Sequence, residues 1–199
     1  MRLGLGTGST VAHLLPAIAE RGCKGLRCVA TSPATEVAAT ALGLTVESLD
    51  EVGELDLAID GADQIDPLGW LVKGGGGAHT REKIVAAAAR RFVVIASAEK
   101  IVDELRAPIP LELLRFGVQR TLLALAPASL RDVGESPDGG LIADYLGTLG
   151  DPLELAGRLS ATPGVVGHGL FAPEMISTIV IAGENGLEIR EGAKPPDSG

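Results

Sequence analysis

Soft-metal and redox chemistry have little to work with in this sequence. Its 199 residues hold only two cysteines and three histidines. Cys23 and Cys28 stand apart from His13, His79 and His168 and no zinc-ligand spacing arises, so no metal is expected. The two thiols read as reduced and structural. Aromatic residues are scarce at 3%, no Lys/Arg cluster is present, and the formal net charge is −9. A nucleic-acid partner is therefore not expected, because it needs a basic face and stacking platforms. No apolar run approaches the ~18 uncharged residues of a membrane span, so no membrane partner is expected either. The apolar start of the chain is interrupted at once by Gly4-Leu5-Gly6-Thr7-Gly8. That pattern is not a signal peptide, and the cytoplasm is the expected compartment.

Glycine, by contrast, is plentiful, and four glycines are consecutive in Lys73-Gly74-Gly75-Gly76-Gly77-Ala78-His79-Thr80-Arg81-Glu82-Lys83. Each costs backbone entropy on folding and offers no side chain to bury. Such a run fits where the main chain must pass close to a ligand or bend as only glycine can. A lysine precedes the run, a helix-like segment with Glu82 in its first turn follows, and Asp60-Gly61-Ala62-Asp63 stands upstream. Each piece has an ordinary reading: the loop as connector, Glu82 as a carboxylate favoured by the helix dipole, the aspartates as turn formers. Their concentration within residues 60–83 favours a small anionic-substrate site with acid–base groups around it.

The length allows one good-sized core or two small domains. Residues 2–5, 26–30, 56–60, 70–72 and 92–96 are strand-like, and 10–20, 33–42 and 80–91 are helical. This alternation predicts an α/β domain, Rossmann-like, with a parallel sheet. Ligands bind beyond the carboxyl ends of such strands. The segments 6–10, 60–63, 73–77 and 97–100 all follow strand-like stretches and are expected to converge at one edge of that sheet. After Pro108-Ile109-Pro110 the pattern changes. Strand-like 111–114, 141–146, 165–171 and 178–182, with helical 117–125 and 151–159, predict a smaller α+β domain of ferredoxin-like type. Asp151 and Pro152 are expected to start the later helix. The expected division is 1–108 with 183–199 for the catalytic domain and 109–182 for the small one. Residues 191–199 are expected to fray.

Gly4-Leu5-Gly6-Thr7-Gly8-Ser9-Thr10 matches a dinucleotide fingerprint poorly, since the second strand ends in Thr31-Ser32 rather than an acid. It is no P-loop either, having no Gly-Lys-Ser/Thr. A phosphate cradle fits better, with free N–H groups at a helix start and hydroxyls from Thr7, Ser9 and Thr10. In order, Gly-Leu-Gly-Thr-Gly-Ser-Thr, Asp-Gly-Ala-Asp, Lys-Gly-Gly-Gly-Gly-Ala and Arg-Glu-Lys-Ile-Val-Ala closely resemble the type A ribose-5-phosphate isomerases. Pro110-Leu-Glu-Leu and Pro163-Gly-Val-Val with Gly169-Leu-Phe resemble that family's second domain. The resemblance runs from Leu3 to about Gly186. It implies an aldose–ketose isomerase that interconverts D-ribose 5-phosphate and D-ribulose 5-phosphate in the non-oxidative pentose phosphate pathway. It implies no metal or organic cofactor, a small sugar phosphate as partner, and a homo-oligomer, dimer or higher. By position it implies Glu82 as the general base, with Asp60, Asp63 and Lys73 as polar groups around the sugar. Thr7, Gly8, Ser9, Thr10, Gly61, Ala62, Gly74, Gly75, Gly76 and Lys100 are implied as substrate-binding positions.

The chemistry agrees. One carboxylate can remove a proton alpha to a carbonyl and return it to the neighbouring carbon. The developing oxyanion needs a cation or N–H donors, which Lys73 and the glycine amides offer. Ring opening needs an acid–base group, for which Asp60 and Asp63 are both candidates. The sequence departs from the family in three places. Members usually have a helix before the first strand, where this sequence opens almost on it, so apolar surface near Leu3 and Leu5 is expected to need a cover. His79 replaces a usual apolar residue and reads as a partly exposed loop residue. Ser97-Ala98-Glu99-Lys100 keeps the usual lysine but shifts the carboxylate. The segment 109–182 holds none of the proposed catalytic residues and is expected to serve an interface. A non-catalytic sugar-phosphate-binding module is the alternative, as is a related sugar-phosphate enzyme. Retention of Glu82, Asp60, Asp63 and Lys73 argues against the first, and the scattered histidines argue against the second.

Overall fold

The computed structural model describes residues 1–184 and 186–194. In chain order the elements are β1 (Arg2–Leu5), α1 (Ser9–Glu20), β2 (Arg27–Ala30), α2 (Pro33–Ala41), α3 (Leu49–Val52), β3 (Leu55–Asp60), β4 (Gln64–Ile65), β5 (Leu71–Val72), α4 (His79–Ala88) and β6 (Ala89–Ser97). There follow β7 (Ile109–Leu113), α5 (Val118–Leu125), β8 (Ala128–Leu130), β9 (Leu141–Tyr145), α6 (Pro152–Ala161), β10 (Val165–His168), β11 (Leu170–Phe171), β12 (Thr178–Gly183) and β13 (Gly186–Glu191). The chain forms two compact units. One takes Met1–Ala62, Arg81–Glu99 and the described part of Pro173–Gly199; the other takes Asp63–Thr80 and Lys100–Ala172. Relative to the division expected from sequence, 63–80 and 100–108 go with the second unit, and β12 goes with the first because it pairs in parallel with β6.

The first unit holds a six-stranded sheet in the order β13-β12-β6-β3-β1-β2, parallel throughout except for the β12–β13 pair at one edge. This is the Rossmann-like α/β architecture the alternation predicts. Successive residues of β1 face opposite sides. Leu3 and Leu5 are buried against Val11, Leu15 and Ala39 of α1 and α2, with Cys28 in the same cluster. The expected uncovered surface at Leu3 and Leu5 is therefore not there: the helices that follow β1 and β2 cover it. On the other side a Cβ at Gly4 would lie 2.5 Å from Val85 Cγ1, so α4 packs directly on that backbone. Helix starts follow their local chemistry. Ser32 Oγ accepts from Thr35 N–H and Pro33 opens α2; Ser48 and Glu51 form a capping box on α3. The helix expected over 80–91 stops at Ala88, because Ala89 and Arg91 pair with Leu55 and Leu57 and become part of β6. Downstream of β13, Gly192 N–H donates to Ser177 O and Lys194 N–H to Ile176 O, so 192–194 are held rather than frayed. Residues 195–199 lie outside the described residues.

In the second unit β7, α5, β8, β9, α6 and β10 give a β-α-β-β-α-β order, with an antiparallel sheet arranged β10-β7-β9-β8. This is the ferredoxin-like unit expected. Every residue of β7 is buried, and Ile109, Leu111, Leu113, Leu125, Leu155 and Leu159 lead its core. Asp151 caps α6 through Leu153 N–H, with Pro152 at the first helical position. A separate three-stranded sheet, β11-β5-β4, completes the unit. The strand expected over 165–171 splits at Gly169. A Cβ there would sit 2.1 Å from Lys73 O, and Gly169 N–H turns to Pro110 O while its carbonyl accepts from Lys73 N–H.

The two cysteines differ. Cys28 is buried, and burial pushes its thiol up to about 11, whereas Cys23 is exposed. In native protein at pH 8, Ellman's reagent is expected to titrate one thiol quickly and the second only on unfolding. Rapid reaction of both would contradict this packing.

Candidate active site

Helix α1 begins without a side-chain cap. Gly8 occupies the cap position at φ +114°, and no acidic residue sits in the first turn. Its leading N–H groups are therefore open to an anion. Ser9 and Thr10 are exposed. With His13, Ala96, Ser97 and Leu187 they help line a cleft of about 410 Å³, in the size range of small-molecule sites. The sequence reading set His13 aside as one of three scattered histidines, although its place one turn after Ser9 on the same helix is a readable signal. The Thr7 hydroxyl is engaged with the Thr31 hydroxyl at 2.7 Å.

Asp60 ends β3 and is 3% exposed. Its Oδ1 accepts from Thr7 N–H at 3.2 Å and from Gly61 N–H at 2.7 Å. One carboxylate thus joins the loop after β1 to the loop after β3. Gly6 makes room for it: a Cβ there would fall 1.9 Å from Asp60 Oδ1. Gly61 lies beside Thr10, its would-be Cβ 3.8 Å from Thr10 Cβ, and Ala62 follows half-buried. Glu82 stands in the first turn of α4 and is 4% exposed. Beside it, burial pushes the Lys83 ammonium down to about 7.

In the second unit Asp63 is exposed, and its Oδ2 accepts from Gly75 N–H at 2.9 Å. Lys73 is 3% exposed, with Nζ 5.5 Å from the centre of the Phe171 ring, a cation–π geometry. Gly74 has φ +107°, and the space where its Cβ would go is filled by His79 Nδ1 at 2.6 Å. His79 is thus not the partly exposed loop residue expected: it is fully buried, because its ring packs beneath the glycine loop. Gly75 and Gly76 are exposed, and Gly77, at φ +73°, packs on Ile142. Lys100 is half-buried and ends the short 3₁₀ turn Ala98–Lys100.

Segments 6–10, 60–62 and 97–99 follow β1, β3 and β6 at the carboxyl edge of the six-stranded sheet, as expected. Segment 73–77 does not follow a strand of that sheet; it follows β5, in the three-stranded sheet of the second unit. The chain passes from one unit to the other at Ala62–Asp63, Thr80–Arg81, Glu99–Lys100 and Ala172–Pro173.

A family description, ribose 5-phosphate isomerase A (phosphoriboisomerase A), matches residues 27–186. The chain belongs to this family. It is similar to a ribose-5-phosphate isomerase A of a Roseiflexus species, 47% identical over 94% of this chain and 87% of the relative. Its fold is similar to the ribose 5-phosphate isomerase A of Neisseria gonorrhoeae, with a TM-score of 0.91 and 31% identity over 99% of this chain and 89% of that one. A D-ribose-5-phosphate isomerase in complex with phospho-erythronic acid is similar at a TM-score of 0.90 and 32% identity, over 96% and 90% of the two chains. The ribose 5-phosphate isomerase A match therefore spans both units.

The two aspartates differ in what they hold. Asp60→Ala strands two N–H groups and is expected to cost about 2–5 kcal/mol of stability, whereas Asp63→Ala is expected to cost less than about 1 kcal/mol. Urea unfolding of both variants checks this, and equal losses would contradict it.

Proposed function

We propose a residue-level account of an aldose–ketose isomerase. The chain interconverts D-ribose 5-phosphate and D-ribulose 5-phosphate, and Glu82 carries the proton. The observation behind this assignment is a buried carboxylate in the first turn of α4, directly after the Lys73 glycine loop, in a chain of this family. Glu82 removes the proton from C2 of the open-chain aldose, and the C1 oxygen takes up charge as the enediolate forms. Returning the proton to C1 gives the ketose, and a single base on one face of a planar intermediate serves both steps. Lys73 and glycine-loop N–H groups stabilise the oxyanion. Opening of the closed sugar ring is assigned to the pair Asp60 and Asp63. The 5-phosphate is assigned to the uncapped start of α1 at Ser9 and Thr10, with Lys100 as a further cation. The relative solved with phospho-erythronic acid supports a phosphorylated, acidic ligand for this family's site.

A homo-oligomer, at least a dimer, is part of the proposal. Within the second unit Leu114, Phe116, Leu123 and Val133 are exposed, Phe116 by 93%, which is apolar surface suited to a second copy. The cytoplasm is the proposed compartment; among the described residues no helix is long and apolar enough to cross a membrane.

Glu82→Gln keeps the shape of the side chain but removes the proton acceptor, and is expected to lower kcat about 10²–10⁴-fold with the fold intact. Near-normal turnover would move the base to Asp60 or Asp63. Unphosphorylated ribose is expected to be a very poor substrate, and comparable kcat/KM values for ribose and its 5-phosphate would remove the role given to α1. Proton transfer through a carboxylate requires no metal, so activity is expected to persist in EDTA; loss restored by one divalent ion would overturn the mechanism. Light scattering at micromolar concentration is expected to give at least twice the 20.3 kDa chain mass. A monomer mass would reject the oligomer.

A further inference from the structure

We propose that Arg131 is a positioning residue for the oxyanion-binding loop, clamped in place by Asp144. This rests on the reading that the glycine loop supplies N–H donors to the enediolate. Arg131 follows β8, and its guanidinium is spent in two directions. Nε and Nη2 donate to Asp144 Oδ2 and Oδ1 at 2.7 and 2.6 Å, a bidentate pair in which both side chains are under one-fifth exposed. Nη1 donates to Gly74 O at 3.1 Å and to Gly75 O at 3.2 Å. The only cation contacting these two carbonyls in the second unit's described bonds thus comes from the domain that the sequence reading kept out of the chemistry.

The consequence follows from peptide geometry. In a trans peptide the C=O and N–H point in opposite directions. Gly74 O shares its peptide plane with Gly75 N–H, and Gly75 O shares its plane with Gly76 N–H. Fixing both carbonyls on one guanidinium turns both N–H groups away from Arg131. Gly75 N–H meets Asp63 on that side. Gly76 N–H meets no acceptor among the described residues, and Gly76 is exposed, so this donor is open to a ligand. Unsupported, residues 74–77 would have wide conformational freedom, since glycine alone occupies so many backbone states. Packing restrains the ends, Gly74 on His79 and Gly77 on Ile142; a turn bond from Gly77 N–H to Gly74 O and the bond from Gly75 N–H to Asp63 act between them, and Arg131 adds the one grip that holds both carbonyls together. Asp144 matters because its bidentate grip leaves Nη1 facing the loop. A lysine carries the same charge but has no planar fork to hold a carboxylate and two carbonyls at once.

The test compares wild type, Arg131→Lys and Arg131→Ala by isomerase kinetics with and without guanidinium ion. Amide hydrogen exchange of the peptide covering 73–79 is followed in the same proteins. Arg131→Lys is expected to lower kcat about 10²-fold, the usual cost of losing one oxyanion donor, while KM changes less than about threefold. Guanidinium is expected to restore at least about tenfold of the kcat lost in Arg131→Ala. Exchange at Gly75 and Gly77, the loop amides that have acceptors, is expected to rise at least about tenfold in both variants, with β7 and β9 amides unchanged. A kcat within twofold of wild type in Arg131→Lys, or unchanged exchange at Gly75 and Gly77, overturns the clamp. Exchange needs no turnover, so it decides the clamp even if wild type proves inactive on ribose 5-phosphate, a result that would instead strike the functional reading.

Discussion

Close approach of bare backbone to a polar group is the constraint on which the candidate site depends. At Gly6 the main chain lies against the Asp60 carboxylate, at Gly74 against the His79 ring, and at Gly169 against the Lys73 carbonyl. In each case a single methyl group would collide, with distances of 1.9, 2.6 and 2.1 Å. Glycine is normally a cost to stability. Here the cost is offset by hydrogen bonds made around these close approaches: Thr7 and Gly61 N–H to Asp60, Gly75 N–H to Asp63, and Lys73 N–H to Gly169 O.

These contacts sort the charged groups by task. Asp60 is buried and committed to two backbone donors, so it organises two loops before any substrate is considered. Lys73 is buried against the Phe171 ring, which restricts where its ammonium can point. A desolvated cation acts more strongly on a developing negative charge than one in water. Burial pushes the ammonium of Lys83, the residue after the proposed base, down to about 7, so it carries only part of its charge at pH 7. The proposed phosphate position is the open end of α1, where backbone dipoles would supply what an acidic chain lacks in net positive charge.

The parts of this arrangement that depend on local chemistry were legible in the chain. Strand–glycine–helix order pointed to the uncapped α1, and Asp151-Pro152 marked the start of α6 where the structure has it. Parts that depend on pairing between distant residues were not. Nothing local separates residues 178–182 from the small domain; their partner is β6, more than eighty residues upstream. The end of α4 is likewise set by β3, and the break at Gly169 by the backbone of Lys73. His79 looked exposed because it sits in a loop-like stretch, and only the fold shows that the glycine loop closes over it. Arg131 carried no signal at all: it follows a three-residue strand, and its role lies in bonds to residues more than fifty positions away.

The central claim is that one carboxylate carries a proton between C2 and C1 through an enediolate. Ribose 5-phosphate labelled with deuterium at C2 and converted in ordinary water tests it directly. The account predicts ribulose 5-phosphate with part of the label lost to solvent and the remainder at C1, since a proton on Glu82 exchanges with water during its transfer. Complete retention of the label at C1, together with near-wild-type turnover in Glu82→Gln, would contradict the account, because hydrogen would then pass between the two carbons with no carboxylate at this position to carry it.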